Sequence, residues 1–133
     1  MLEGEMQQHV QIEARKFDSH LMRNNSGAFE DKTGRLVRFG LDNTSEARNA
    51  KIKSSDLIGF TVRTITPDMV GKKVAIFTAI EVKRSDFKMT TNEDAKSNGR
   101  LYAQLNFINW VYNHGGISGI VNSLESLRKI LSP

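Results

Sequence analysis

The stretch KVAIFTAIEVK, residues 73–83, decides the fold. Residues 73–82 are almost continuously apolar and rich in β-branched side chains. Such a run reads as a strand with both faces buried in the middle of a sheet. It ends on Glu81-Val82-Lys83. Alternate residues of a strand share a face, so Glu81 and Lys83 point the same way and Val82 points into the core. On the N-terminal side, DLIGFTV (56–62) reads as a second strand that opens on an acid, Asp56. ITPDMVG (65–71) between them is a turn punctuated by Pro67 and Gly71. Further upstream, residues 3–22 read as a helix with Met6, Val10, Phe17 and Leu21 near one stripe. Residues 23–34 are loop or hairpin, 36–39 a short strand, and 42–55 a polar loop. On the C-terminal side, residues 84–99 are polar. Leu101, Leu105, Ile108 and Tyr112 then recur at helical spacing, which predicts a helix over 100–114 ended by Gly115-Gly116. A short strand follows at 117–121, and Asn122 or Ser123 caps a last helix over 124–131. The order helix, strands, helix, strand, helix predicts an α/β or α+β fold on a mixed central β-sheet flanked by helices.

The 133 residues suit a single domain, 1–133. The net charge of +4 leans toward a polyanionic partner such as nucleic acid. There is no cysteine, which excludes disulfides and thiolate metal sites. The N-terminal stretch MLEGEMQQHVQIEARKF is polar and lacks the apolar centre of a signal peptide. No window approaches ~18 consecutive apolar residues, so no membrane span is expected. The expected compartment is the cytoplasm, of a host cell if the protein is viral.

The chemistry gathers at the strand ends. If Asp56 and Glu81 lie on neighbouring strands, their carboxylates can share a hard divalent cation. Mg²⁺ and Mn²⁺ prefer oxygen ligands, one or two of them carboxylates, with water and substrate phosphate completing the shell. The backbone carbonyl of Val82 is a further oxygen. Such an ion stabilises charge on a scissile phosphate and acidifies a bound water. The Lys83 ammonium would then position that water or offset phosphate charge. Glu-x-Lys by itself is also an ordinary solvated pair. Arg84, Lys88, Lys96 and Arg100 follow the strand, and Lys51 and Lys53 precede Asp56, which suggests a phosphate-binding rim. His9, His20 and His114 lack metal-ligand spacing and read as structural or surface groups. No Gly-rich phosphate loop and no Ser-His-Asp order is present.

Taken together, Arg23-Asn24-Asn25-Ser26-Gly27-Ala28, Lys53-Ser54-Ser55-Asp56-Leu57-Ile58-Gly59, Ile65-Thr66-Pro67-Asp68-Met69-Val70-Gly71, Phe77-Thr78-Ala79-Ile80-Glu81-Val82-Lys83, Gln104 and Gly115-Gly116 resemble a VRR-NUC domain. This is a branch of the PD-(D/E)XK nucleases, and compact stand-alone forms are typical of phages and prophages. The resemblance implies a restriction-endonuclease-like core. It implies that Asp56 and Glu81 are metal ligands, that Lys83 is the catalytic lysine, and that Gln104 faces the site to place the water or a phosphate. It also implies a first-helix acid near the metal, Glu3 or, failing that, Glu5. Lys53-Ser54-Ser55 departs from the family's Gly-x-Pro before the Asp, and residues 84–98 form a longer and more polar linker than in many relatives.

The function expected from this resemblance is a Mg²⁺- or Mn²⁺-dependent DNA endonuclease that leaves 5′-phosphate ends. A chain of this size has little room for a separate recognition domain, which suits recognition of branched shape, with four-way junctions as the leading substrate. Two symmetric cuts call for a homodimer, with Phe107 and Trp110 or the first helix at its contact. The alternatives are a flap or nicking endonuclease of the same fold and a nucleic-acid-binding protein without catalysis. Intact Asp56, Glu81 and Lys83 argue against the last.

Overall fold

A computed structural model describes residues 2–91 and 93–132. Met1, Asn92 and Pro133 lie outside the described residues, Asn92 within the expected 84–98 linker. The chain gathers into two units, Met1–Arg63 and Thr64–Pro133.

The first unit begins with helix α1, Glu3–Ala14, capped by the Glu5 carboxylate, which accepts from the Leu2 N–H at 3.0 Å. The helix expected over 3–22 therefore stops early. One 3₁₀ turn, Arg15–Phe17, leads to Asp18 at φ 54°, a left-handed residue that breaks the helical path. The chain then enters strand β1, Ser19–Arg23. The physical reason is long-range. Ser19–Arg23 pairs antiparallel with strand β4, Leu57–Thr61, so its backbone bonds cross to another segment. The presumed helical stripe has no core to face: Met6, Val10 and Phe17 are exposed, and α1 buries no residue. Gln11 Nε2 ties α1 to β1 by donating to the Leu21 carbonyl at 3.0 Å.

Strands β2, Gly27–Glu30, and β3, Leu36–Phe39, form an antiparallel hairpin. Its turn is built on Asp31, whose Oδ1 accepts from the Thr33 hydroxyl and from the Thr33 and Arg35 amides. Gly34 takes the left-handed position at φ 81°. These bonds hold the Asp31 carboxyl below the ordinary aspartate range, with the Thr33 hydroxyl the largest cause. The polar stretch 42–55 is not all loop. Helix α2, Glu46–Lys51, occupies its centre, capped by the Ser45 hydroxyl, which accepts from the Arg48 amide. Its start is braced by two bonds from the Arg48 guanidinium to Asp42.

The second unit opens with a 3₁₀ turn, Pro67–Met69, closed by Gly71 at φ 82°. Strand β5 is Thr78–Val82. It is shorter than the expected 73–82 and is not buried on both faces. Its partner β6, Ile117–Val121, supplies only five residues and pairs in parallel from Thr78↔Ile117 to Val82↔Val121. Residues 73–77 join no strand, and Val74 and Ile76 are exposed. Val82, expected to point into the core, is 71% exposed.

Helix α3, Gly99–Asn113, makes the crossover between β5 and β6, as parallel neighbours require. Asn98 caps it, accepting from the Leu101 amide. The core of this unit is Leu105, Ile108 and Val111 of α3 with Val121 of β6 and Ala95. The linker before α3 is folded back by turns and puts Ala95 inside. Helix α4, Leu124–Leu131, starts at the Ser123 cap and runs against β6.

The fold class is mixed α/β, with four α-helices among the described residues. Among those residues the strands pair as β1–β4, β2–β3 and β5–β6, three two-stranded sheets, where one mixed sheet was expected. Again among the described residues, no helix is long and apolar enough to cross a membrane.

Candidate active site

The second unit concentrates charge at the C-terminal end of β5. Glu81 and Lys83 lie two residues apart, on one face. Gln104 reaches them from the second turn of α3. Its side-chain oxygen accepts from Lys83 Nζ at 2.7 Å, and its Nε2 donates to Glu81 Oε1 at 2.8 Å. Lys83 Nζ also stands 3.4 Å from the same Glu81 oxygen. The three side chains close a ring in which a neutral amide joins cation to anion. Lys83 and Glu81 are only 21% and 31% exposed, so the ring is partly screened from water. Both contacts to Glu81 fall on its Oε1.

The backbone adds an oxygen. Ile117 N–H donates to Phe77 C=O and Lys83 N–H to Val121 C=O, which turns the odd-numbered residues toward β6. Carbonyls alternate sides along a strand, so that of Val82 faces the other edge. Two further residues surround Lys83. The Phe87 ring lies 5.7 Å from its ammonium, in reach of a cation–π contact. Asn122 Nδ2 donates to the Phe87 carbonyl at 3.0 Å and pins the turn that carries this ring. Sequence reasoning missed both as site neighbours. Asn122 was visible only as a helix cap, and Phe87 only as one apolar residue in a polar linker.

In the first unit, Asp56 immediately precedes β4. Its carbonyl accepts from the Asn24 amide at 2.9 Å, and its carboxylate is without a partner among the described residues. Glu3 and Glu5 sit in the first turn of α1. Glu5 is used as the helix cap, and Glu3 is exposed.

The expected phosphate rim is uneven. Lys53, Lys88 and Arg100 are exposed, whereas Arg84 is paired with Asp86 at 2.6 Å. Two of the histidines are structural, as expected: His20 stacks on Phe60, and His114 Nδ1 bonds the Trp110 carbonyl.

Asp56, Glu81 and the Val82 carbonyl are oxygen donors of the kind that hard divalent cations take. Among the described residues no three His, Cys, Asp or Glu side chains gather as a ready-made cage. Asp56 and Glu81 are not on paired strands as the shared-ion reading required: among the described residues β4 pairs with β1 and β5 with β6. Glu81 and the Val82 carbonyl by themselves suit an ion that keeps several waters, as Mg²⁺ does, better than one held wholly by protein. No protein-family model, curated protein or solved structure matches the chain.

Proposed function

We propose that this chain is a Mg²⁺- or Mn²⁺-dependent DNA endonuclease of the VRR-NUC type, built on a restriction-endonuclease-like core. The observation that carries the reading is the Lys83–Gln104–Glu81 ring at the end of β5. A strand end in a parallel pair with a helical crossover is a common location for ligands. The ring holds an ammonium beside a carboxylate that is engaged through one of its two oxygens. The family resemblance makes Asp56 in the first unit, and Glu81 and the Val82 carbonyl in the second, the proposed metal ligands, and Glu3 is the proposed first-helix acid because Glu5 is committed to its cap. The ion, when bound, would supply charge stabilisation at the scissile phosphate and an acidified water. Lys83 orients that water and offsets phosphate charge, and Gln104 holds Lys83 in place. The water oxygen forms a new bond to phosphorus as the bond to the 3′ oxygen breaks. The products are a 5′-phosphate and a 3′-hydroxyl that takes up the proton.

DNA is the proposed substrate, consistent with the net charge of +4. Lys53, Lys88 and Arg100, with Arg84 once released from Asp86, would contact its phosphates. Junction selectivity and a homodimer belong to the same reading. Phe107 and Tyr112 of α3 are exposed, and Phe107 meets Trp110 at 5.7 Å, which supports an aromatic contact between copies. The proposed setting is the cytoplasm, that of the host cell if the protein is viral.

The test is cleavage of linear, flapped, forked and four-way DNAs with Mn²⁺, Mg²⁺ or chelator. Metal-dependent cutting that is lost in Glu81→Ala and Lys83→Ala supports the reading. Binding without cutting under every metal condition leaves a nucleic-acid-binding protein instead. Equal rates on linear and four-way DNA, or a monomeric mass by light scattering, would remove the junction-resolving part.

A further inference from the structure

We infer that Phe87, set in place by Asn122, is a positioning residue for the Lys83 ammonium, an inference that rests on the proposed catalytic role of Lys83. All three residues belong to the second unit. A lysine ammonium rides on a flexible four-carbon stem, so acting at one point requires more than one contact to hold it. Gln104 and Glu81 supply polar contacts, at 2.7 and 3.4 Å, but both are rotatable side chains themselves. The Phe87 ring adds a contact of another kind, with its centroid 5.7 Å from Nζ. An aromatic face attracts a cation through its quadrupole. It does so without accepting a conventional hydrogen bond. An ammonium has three N–H groups, and two polar partners leave one for a water or a phosphate. The ring therefore steadies Lys83 without using the donor that the proposed chemistry needs.

The backbone brings the ring back to the lysine. The Lys83 N–H donates to the Val121 carbonyl at 2.8 Å and ends the β5–β6 ladder. The chain then reverses in a turn over 84–87, closed by the Phe87 N–H donating to the Arg84 carbonyl at 3.0 Å. Asn122, the residue after Val121, donates from Nδ2 to the Phe87 carbonyl at 3.0 Å. The segment from Lys83 to Phe87 is thus fastened at both ends to consecutive residues of one neighbouring chain segment. Asn122 is itself anchored, its N–H donating to Ser126 Oγ in the first turn of α4 at 3.2 Å. Within the turn, Arg84, Ser85 and Asp86 are exposed, and Phe87 alone is half-buried. The Arg84–Asp86 ion pair stays on the outside at 2.6 Å. A lysine otherwise ordered only by polar neighbours gains an aromatic wall whose place is set by two backbone bonds and one carboxamide.

The experiment uses the full chain and two readouts, with thermal melts to verify folding. The first is the NMR signal of the Lys83 ε-methylene protons, assigned by its loss in Lys83→Ala. The Phe87 ring current should displace it upfield in wild type and in Phe87→Tyr, and the displacement should vanish in Phe87→Leu and shrink in Asn122→Ala. The second is cleavage of four-way DNA in Mn²⁺. Phe87→Leu, which keeps the apolar bulk, is expected to lower kcat about fivefold with KM unchanged. Asn122→Ala is expected to lower it about threefold, and Phe87→Tyr to keep the wild-type value. If Asn122→Ala does not fold, Phe87→Leu decides. A wild-type signal that is not displaced, or one displaced equally in folded Phe87→Leu, overturns the contact and the inference. Loss of the displacement with wild-type kcat, or an equal fall of kcat in the Tyr and Leu variants, overturns the positioning role and leaves the nuclease reading standing. Full cleavage by Lys83→Ala, or none by the wild type, overturns the catalytic role of Lys83 and this inference with it, even where the displacement shows the contact to be present.

Discussion

Replacing Gln104 by Leu tests whether the amide organises the Lys83–Glu81 pair or merely accompanies it. Leu is close to Gln in size and is as good a helix former, so α3 should persist. The change removes two bonds to charged groups, of 2.7 and 2.8 Å. A hydrogen bond to a charged group contributes about 1.5–3 kcal/mol where it is shielded. Lys83 and Glu81 keep 21% and 31% of their exposure, so water replaces part of what is lost. The ion pair at 3.4 Å also survives. The expected cost is therefore about 1–2 kcal/mol in all, below the roughly 3 kcal/mol that two fully shielded bonds of this kind would contribute at the least. Urea unfolding followed by Trp110 measures it, because this sole tryptophan lies on the same helix as Gln104. A double-mutant cycle with Lys83→Met isolates the coupling, which should reach about 1 kcal/mol. Cleavage by Gln104→Leu should fall about 10–100-fold through a misplaced Lys83. Additivity of the two substitutions within about 0.3–0.5 kcal/mol would refute the bridging role, leaving the direct ion pair as the whole interaction.

Gly59→Ala should disrupt the β1–β4 pairing by more than about 2 kcal/mol, because a Cβ there would stand 1.8 Å from the His20 carbonyl oxygen; hydrogen exchange along Ser19–Arg23 reports it. Val111, 1% exposed, anchors the second unit, and Val111→Ala should cost about 2 kcal/mol in urea unfolding from two lost methyl groups and the cavity left behind. The Asp31 carboxyl is held low by the hairpin turn, so its stabilisation is complete above the unfolded aspartate range and is lost as pH falls below about 4. Amide exchange at Arg35 should accelerate in that acid window, and Asp31→Asn should remove the pH dependence.

Local patterns made much of the secondary structure legible. Leu36–Phe39, Ile117–Val121 and Leu124–Leu131 were readable because each lies between strong punctuation, such as Gly34, Gly115-Gly116 and the Ser123 cap. α3 was readable from its apolar spacing. The misreadings share a cause. Ser19–Arg23 is a strand only because Leu57–Thr61 lies beside it, about forty residues away in sequence. The run 73–82 looked like one long buried strand because apolar content marks burial without saying how long a partner strand will be. β6 has five residues, and β5 is cut to match. α2 was hidden in a stretch read as loop for its polarity, although Ser45 and Glu46 open it and Lys51 closes it with favourable end charges.

The site was legible where charge and alternation coincide and opaque where neutral amides do the work. Alternation alone assigns Glu81 and Lys83 to one face. It cannot say that Gln104, twenty-one residues beyond Lys83, closes the ring between them; only the family resemblance singled it out. Asn24 and Asn122 carry no charge and follow no hydrophobic period; the sequence marks Asn122 only as a helix-cap candidate and Asn24 only within the family resemblance. Their value lies in direction. A carboxamide presents a donor and an acceptor at fixed angles, so Gln104 can receive from an ammonium while giving to a carboxylate, and Asn24 can grip a hydroxyl and a carbonyl at once. A charged side chain at position 104 would satisfy one neighbour and repel the other. The acids and the lysine name the chemistry, and the amides decide whether those groups are held where that chemistry can occur.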